Sequence, residues 1–116
     1  MHKIAENGII TLTAGDSFIA PLYLYYNNNE LYKISGTDKI FFAILEPHQK
    51  FENAVVRHIY TTQDVNGDKN VLIRLSPEDT ENLHPGTYYY EIKLQIHANG
   101  TEYVDTVVPR RKLILI

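Results

Sequence analysis

Three oxygen-bearing side chains fall at alternate positions in Asp64-Val65-Asn66-Gly67-Asp68, the ligand spacing with which a calcium loop begins. Such a loop also needs a glycine directly after the third ligand and a bidentate glutamate at the twelfth position. Here the glycine is Gly67, one residue before the third ligand, and the twelfth position is Leu75. Asn66-Gly67 between β-rich runs is instead a strong hairpin signal. The segment reads as a turn, and no metal is assigned. His2, His48, His58, His84 and His97 stand singly, without the His-x-His or His-x-x-x-His spacing that brings two imidazoles onto one ion. The chain has no cysteine, which removes disulfides, thiolate metal sites and a thiol nucleophile together. Nucleophile-elbow, dinucleotide and Walker-type glycine patterns are absent as well. Glu46 and Glu52 are carboxylates that folding could unite, but no third group is legible to position them. The reading is non-catalytic, with no cofactor.

Nine tyrosines are the more suggestive chemistry. Tyr23, Tyr25 and Tyr26 stand beside Asn27-Asn28-Asn29, an arrangement able to stack on sugar rings. Tyrosine is also a favoured strand residue, whose ring packs while its hydroxyl reaches water. Carbohydrate binding or host-surface adhesion is therefore held as the alternative function. Arg110-Arg111-Lys112 follows Pro109 and has no second basic cluster to make a phosphate site. Asn99-Gly100-Thr101 fits the glycosylation pattern, but with no export signal ahead of it the tripeptide reads as a turn.

The elements that must hold these residues are strands. Residues 9–13, 18–26, 39–45, 54–61, 70–75, 87–96, 103–108 and 112–116 are rich in β-branched, aromatic and aliphatic residues, and turn-forming residues separate most of them. Pro21 places its run at an edge or a bulge, because proline cannot donate to a ladder. The Asn66-Gly67 turn predicts that residues 54–61 and 70–75 pair antiparallel. Ser76-Pro77-Glu78-Asp79-Thr80, with an N-cap serine, proline at the first helical position and acids in the first turn, predicts the only helix, a single turn. In residues 87–96, Tyr88, Tyr90, Ile92, Leu94 and Ile96 alternate with a more polar set, so the inward face is legible. Tyr88 lies on it, and after Leu83-His84-Pro85-Gly86-Thr87 its hydroxyl is expected to bond backbone near Leu83 or His84 as a tyrosine corner. Tyr89 is the candidate that fibronectin-type spacing would choose instead. About seven short strands with hairpin turns predict an all-β, immunoglobulin-like antiparallel β-sandwich of two sheets.

The chain has 116 residues, 44% of them hydrophobic and 22% charged, with a net charge of −3. This is one globular domain, residues 1–116, far from the composition of disorder. There is no basic field for nucleic acid or an anionic membrane. No stretch approaches the roughly 18 apolar residues of a spanning helix, and the N-terminus lacks the apolar region of a signal peptide.

Gly15-Asp16-Ser17-Phe18, Asp38-Lys39-Ile40-Phe41-Phe42, Glu46-Pro47, Ser76-Pro77-Glu78-Asp79-Thr80, Pro85-Gly86-Thr87-Tyr88-Tyr89-Tyr90-Glu91-Ile92-Lys93-Leu94 and Val107-Val108-Pro109 together carry a resemblance. The chain resembles phage and prophage tail or baseplate modules of Gram-positive hosts, in particular the N-terminal immunoglobulin-like domain of baseplate upper proteins. That resemblance implies a virion structural protein, made in the host cytoplasm, whose partners are other tail or baseplate proteins. Two strands are apolar on both parities: Ile40, Phe42 and Ile44 oppose Phe41, Ala43 and Leu45, and Ile114 and Ile116 oppose Leu113 and Leu115. A strand with one face in water should alternate. The excess predicts self-association or docking through Ile40, Phe42 and Ile44, through an unprotected edge at Leu113, Ile114, Leu115 and Ile116, or through both.

Overall fold

A computed structural model describes residues 2–4, 8–26, 28–67, 70–98 and 100–116, and the side chains of all of these except 2–4, 66 and 98. In chain order its strands are β1 (His2–Ile4), β2 (Ile10–Leu12), β3 (Phe18–Leu22), β4 (Leu24–Tyr25), β5 (Leu31–Tyr32), β6 (Lys39–Leu45), β7 (Val56–Tyr60), β8 (Val65–Asn66), β9 (Asn70–Leu75), β10 (Gly86–Ala98) and β11 (Thr101–Leu115). The fold is all-β. The one α-helix among the described residues is α1 (Pro77–Thr80), where Ser76 and Asp79 close a reciprocal capping box around a proline start. That is the arrangement its residue types favour.

The strands form a six-stranded sheet in the order β1-β2-β11-β10-β6-β7, a three-stranded sheet β3-β9-β8 and a pair β4-β5. This exceeds the expected seven strands. The ladders are antiparallel except β2 with β11, which run parallel through Leu113↔Ile10 and Leu115↔Leu12. The large sheet is therefore mixed. Ile40, Phe42 and Ile44 from β6, alternate residues of β10 from Tyr88 to Leu94, and Val71, Ile73 and Leu75 from β9 share one buried cluster. The legible alternation of β10 is thus the inner face of the large sheet, and the small sheet packs over it. Pro21 sits in β3, at an edge of the three-stranded sheet, where its missing N–H costs no ladder bond.

Three expectations are corrected. The strands flanking Asn66-Gly67 do not pair with each other: β7 joins β6, while β9 joins β3 and β8. The chain changes sheets at the 3-10 turn Thr62–Asp64, capped by the Thr61 hydroxyl and the Asp64 carboxylate. Only the short β8 forms the hairpin. The cap supplies local hydrogen bonds to a backbone that leaves one sheet and enters another.

Secondly, Ile40, Phe42 and Ile44 are not an interface, because all three point into the core and are at most 1% exposed. The opposite face of β6 is covered by the chain itself. The turn Phe51–Asn53 packs against β6, and the Phe51 ring lies 4.5 Å from Lys93 Nζ and 5.8 Å from the Arg57 guanidinium carbon. Lys93 and Arg57 are cross-strand neighbours of Phe41 and Ala43. Cation–π contacts thus seat an aromatic lid over the second apolar face.

Thirdly, Leu113 to Leu115 is no edge. β11 lies between β10 and β2 there, and Leu113 and Leu115 are each 1% exposed. Ile114 is half-buried and Ile116 exposed. Ile116 donates its N–H to the Leu12 carbonyl and accepts the Ala14 N–H at its own carbonyl, both on the β2 side.

Candidate functional site

Three buried tyrosines show what a tied hydroxyl does in this fold. Tyr88 donates to the His84 carbonyl at 2.8 Å, inside the turn that brings the chain into β10, while half-buried Leu83 packs on the core. Tyr90 donates to the Gly8 carbonyl. Gly8 has a φ of +83°, a conformation that favours glycine, and a Cβ there would displace the Arg111 side chain. Tyr60 donates to the Arg74 carbonyl at 2.8 Å and accepts from the Arg74 N–H at 3.0 Å. β8 extends along β9 only at Asn70 and Val71. The Tyr60 hydroxyl thus occupies the place a neighbouring strand would take beside Arg74. Burial pushes the Tyr60 and Tyr90 hydroxyls up from 10.0, because a phenolate loses its hydration there.

The other tyrosine group is built differently. Leu24 is buried in the core and pins β4, which leaves Tyr23 and Tyr25, its neighbours of opposite parity, outside. β4 and β5 pair through Leu24↔Tyr32 and Tyr25↔Leu31. Their connection is closed by Tyr26 N–H to the Glu30 carbonyl at 2.8 Å, with Asn29 left-handed at φ 67°, a conformation asparagine tolerates. Tyr32 is held from behind. Its hydroxyl donates to Asp38 Oδ2, which also accepts the Ser35 N–H at 3.0 Å. Asp38 is buried. Burial and this carboxylate push the Tyr32 hydroxyl far above its ordinary value. Tyr26 meets Tyr32 edge-to-face, with centroids 5.1 Å apart and an interplanar angle of 89°.

Across from these rings runs a ribbon. Pairing of β6 with β10 ends at Lys39↔Gln95, but β10 and β11 stay paired to Ala98↔Thr101. The register shifts between Tyr90 and Lys93 mark a bulge at its root, the device that bends a ribbon away from its sheet. Leu94, Ile96 and Val107 continue the core face of the ribbon outward, with Asp105 beside Leu94. Together with Tyr23, Tyr25, Tyr26 and Tyr32 they enclose a groove of about 510 Å³, within the range typical of ligand clefts.

The remaining candidates are dispersed. Asp64 Oδ2 accepts the Thr61 N–H at 2.8 Å; Asp68 and the Asn66 side chain lie outside the described residues, as does Asn99 of the second Asn-Gly turn. No group of three potential metal ligands forms among the described residues. His58 contacts Asp79 at 3.0 Å, and His97 contacts Glu102 at 3.8 Å. Arg110 bonds Glu91 Oε2 at 3.2 Å and the Gln49 carbonyl, on the covered outer side of the large sheet, whereas Arg111 lies against Gly8. The basic run is thus split between two surroundings.

Sequence reasoning brought Tyr23, Tyr25 and Tyr26 together but missed Tyr32, Asp38, Asp105 and Tyr60. Leu31-Tyr32 repeats Leu24-Tyr25 across the asparagine loop, and that repeat is the signal that a second wall was present. For Asp105 there was none. Compared with known families and characterised proteins, the chain matches no family model and no curated relative.

Proposed function

We propose that this chain is a non-catalytic structural and interaction module of a phage tail or baseplate, an immunoglobulin-like β-sandwich that binds protein partners in virion assembly. The observation that carries the binding part of this reading is the β10–β11 ribbon. Beyond Gln95 it extends past the β6 ladder, and it exposes Tyr103 and Val104, 50% and 55% accessible, on a short antiparallel pair. Among the described residues β2 pairs with β11 only from Leu113 to Leu115, and no strand lies along the outer edge of β11 from Thr101 to Val108. An unpaired backbone edge with apolar side chains suits strand addition by a partner. The resemblance set out above supplies the tail or baseplate context.

The test uses particles. Tails purified from the phage or prophage that encodes this chain should contain it at a fixed stoichiometry by mass spectrometry, and a virion map should place another polypeptide on the Thr101 to Val108 edge. Purified tails that lack the chain would sink the assembly reading; a chain present with its ribbon bare would sink the ribbon as its docking surface.

A further inference from the structure

We propose that the tyrosine groove is a saccharide-binding site for a short neutral or amino-bearing glycan. This goes beyond the assembly role and does not depend on it. The groove joins features that recognise a sugar and are poorly matched to other small ligands. Tyr26 and Tyr32 stand perpendicular, so they present a ring face and a ring edge, and Tyr23 and Tyr25 add two more aromatic walls. A pyranose offers an apolar C–H face to such walls, and its burial there is favourable. Leu94, Ile96 and Val107 supply an apolar floor.

The polar groups separate ligand classes. Tyr32 is committed to Asp38, which fixes it as a rigid wall. Tyr23, Tyr25 and Tyr26 are 44%, 61% and 53% exposed, which leaves their hydroxyls within reach of a ligand as both donors and acceptors. Among the described residues, Asp105 is the one charged side chain in the lining. An ionised carboxylate only accepts, so it takes hydroxyl or ammonium protons from a ligand and repels phosphate or sugar acids. A polyol with an apolar face satisfies rings and carboxylate at once. Anions do not.

The anchoring of the walls favours binding further. Leu24 in the core, Tyr32 on Asp38 and the Tyr26–Glu30 backbone bond hold the hairpin before any ligand arrives, so little ordering remains to oppose association.

Nitrogen-15 labelled chain would be titrated by NMR with a panel of neutral and amino mono- to tetrasaccharides to about 10 mM, which detects even weak millimolar binding. The expected result is saturable shifts at the Tyr25, Tyr26 and Asp105 amides with at least one sugar. Tyr25→Ala with Tyr26→Ala should weaken that binding by about tenfold or more, and Tyr25→Phe by only a few-fold, since the ring survives. Ile59→Ala, exposed on β7 and outside the groove lining, should leave it unchanged. Native-like spectra of these surface variants would show that the fold persists. Absence of saturation across the panel would overturn the proposal, as would binding that survives loss of both rings. Saturation by tetramethylammonium or a polyproline peptide with no response to sugars would assign the groove to another ligand class and overturn it equally.

Discussion

Tyr60, Tyr88 and Tyr90 are buried with their hydroxyls on backbone groups, whereas Tyr23, Tyr25 and Tyr26 are 44% to 61% exposed around a groove. The residue type is the same in both regions, and the difference lies in what the backbone nearby still needs. Among the described residues Arg74 has no strand beside it on the side away from β3, and Gly8 and His84 offer carbonyls beside the core; one phenol serves each. Around the groove, Tyr26 N–H and Glu30 bond each other and Asp38 serves Tyr32, so the remaining rings are left for surface contact. Buried tyrosines here hold the fold together, and exposed ones are available for a ligand.

Tyr60→Phe should break that contrast most severely. It removes the partner of both the N–H and the carbonyl of Arg74, in bonds that are part-buried. A loss of about 2–3 kcal/mol, the upper part of the range for a polar group left unmade, is expected from urea unfolding; a loss below about 0.5 kcal/mol, the range of ordinary surface changes, would show that water replaces the phenol. Gly8→Ala comes next, because alanine at φ +83° is strained and its Cβ meets Arg111. About 1–3 kcal/mol is expected from a backbone of that kind, measured in the same way.

Tyr88→Phe should cost about 1 kcal/mol, the typical net worth of one hydrogen bond, while Tyr89→Phe should be nearly neutral. The reverse order would move the corner by one residue. A pH experiment sharpens the same division without mutation. Tyr60 and Tyr90 have hydroxyls raised above 10.0 in the folded chain, so the folded state holds those protons more tightly than the unfolded state. Their contribution to stability is complete below about pH 10 and is lost as pH climbs beyond it. Followed by absorbance at alkaline pH, the ionisation of Tyr60 and Tyr90 should coincide with unfolding. Their ionisation near pH 10 with the fold intact, assigned by comparison with Tyr60→Phe and Tyr90→Phe, would contradict this. Smallest of all, Tyr25→Phe and Tyr23→Phe should alter stability by less than about 0.5 kcal/mol.

The amino-acid sequence by itself determined the strand-rich character, the α1 turn at Ser76-Pro77, an edge or a bulge at Pro21 and the inward face of β10. Each rests on neighbours in the chain: alternation with period two, a cap three residues from its partner, a missing N–H. It also placed Tyr23, Tyr25 and Tyr26 together, since one short segment holds all three. Only the tertiary structure decided the rest. Both parities of β6 are apolar, and nothing within Lys39–Leu45 says that Phe51 will cover the second one; read alone, that strand looks like an interface. The Asn66-Gly67 turn was legible as a turn, but the strands it joins were not, because strand partners are chosen by burial between segments far apart in sequence. The same holds for the groove, where Asp105 comes from a ribbon eighty residues beyond Tyr25. A local pattern can specify which face of a strand is oily, whereas what covers that face is a non-local packing outcome, settled when all the apolar surfaces compete for the same core.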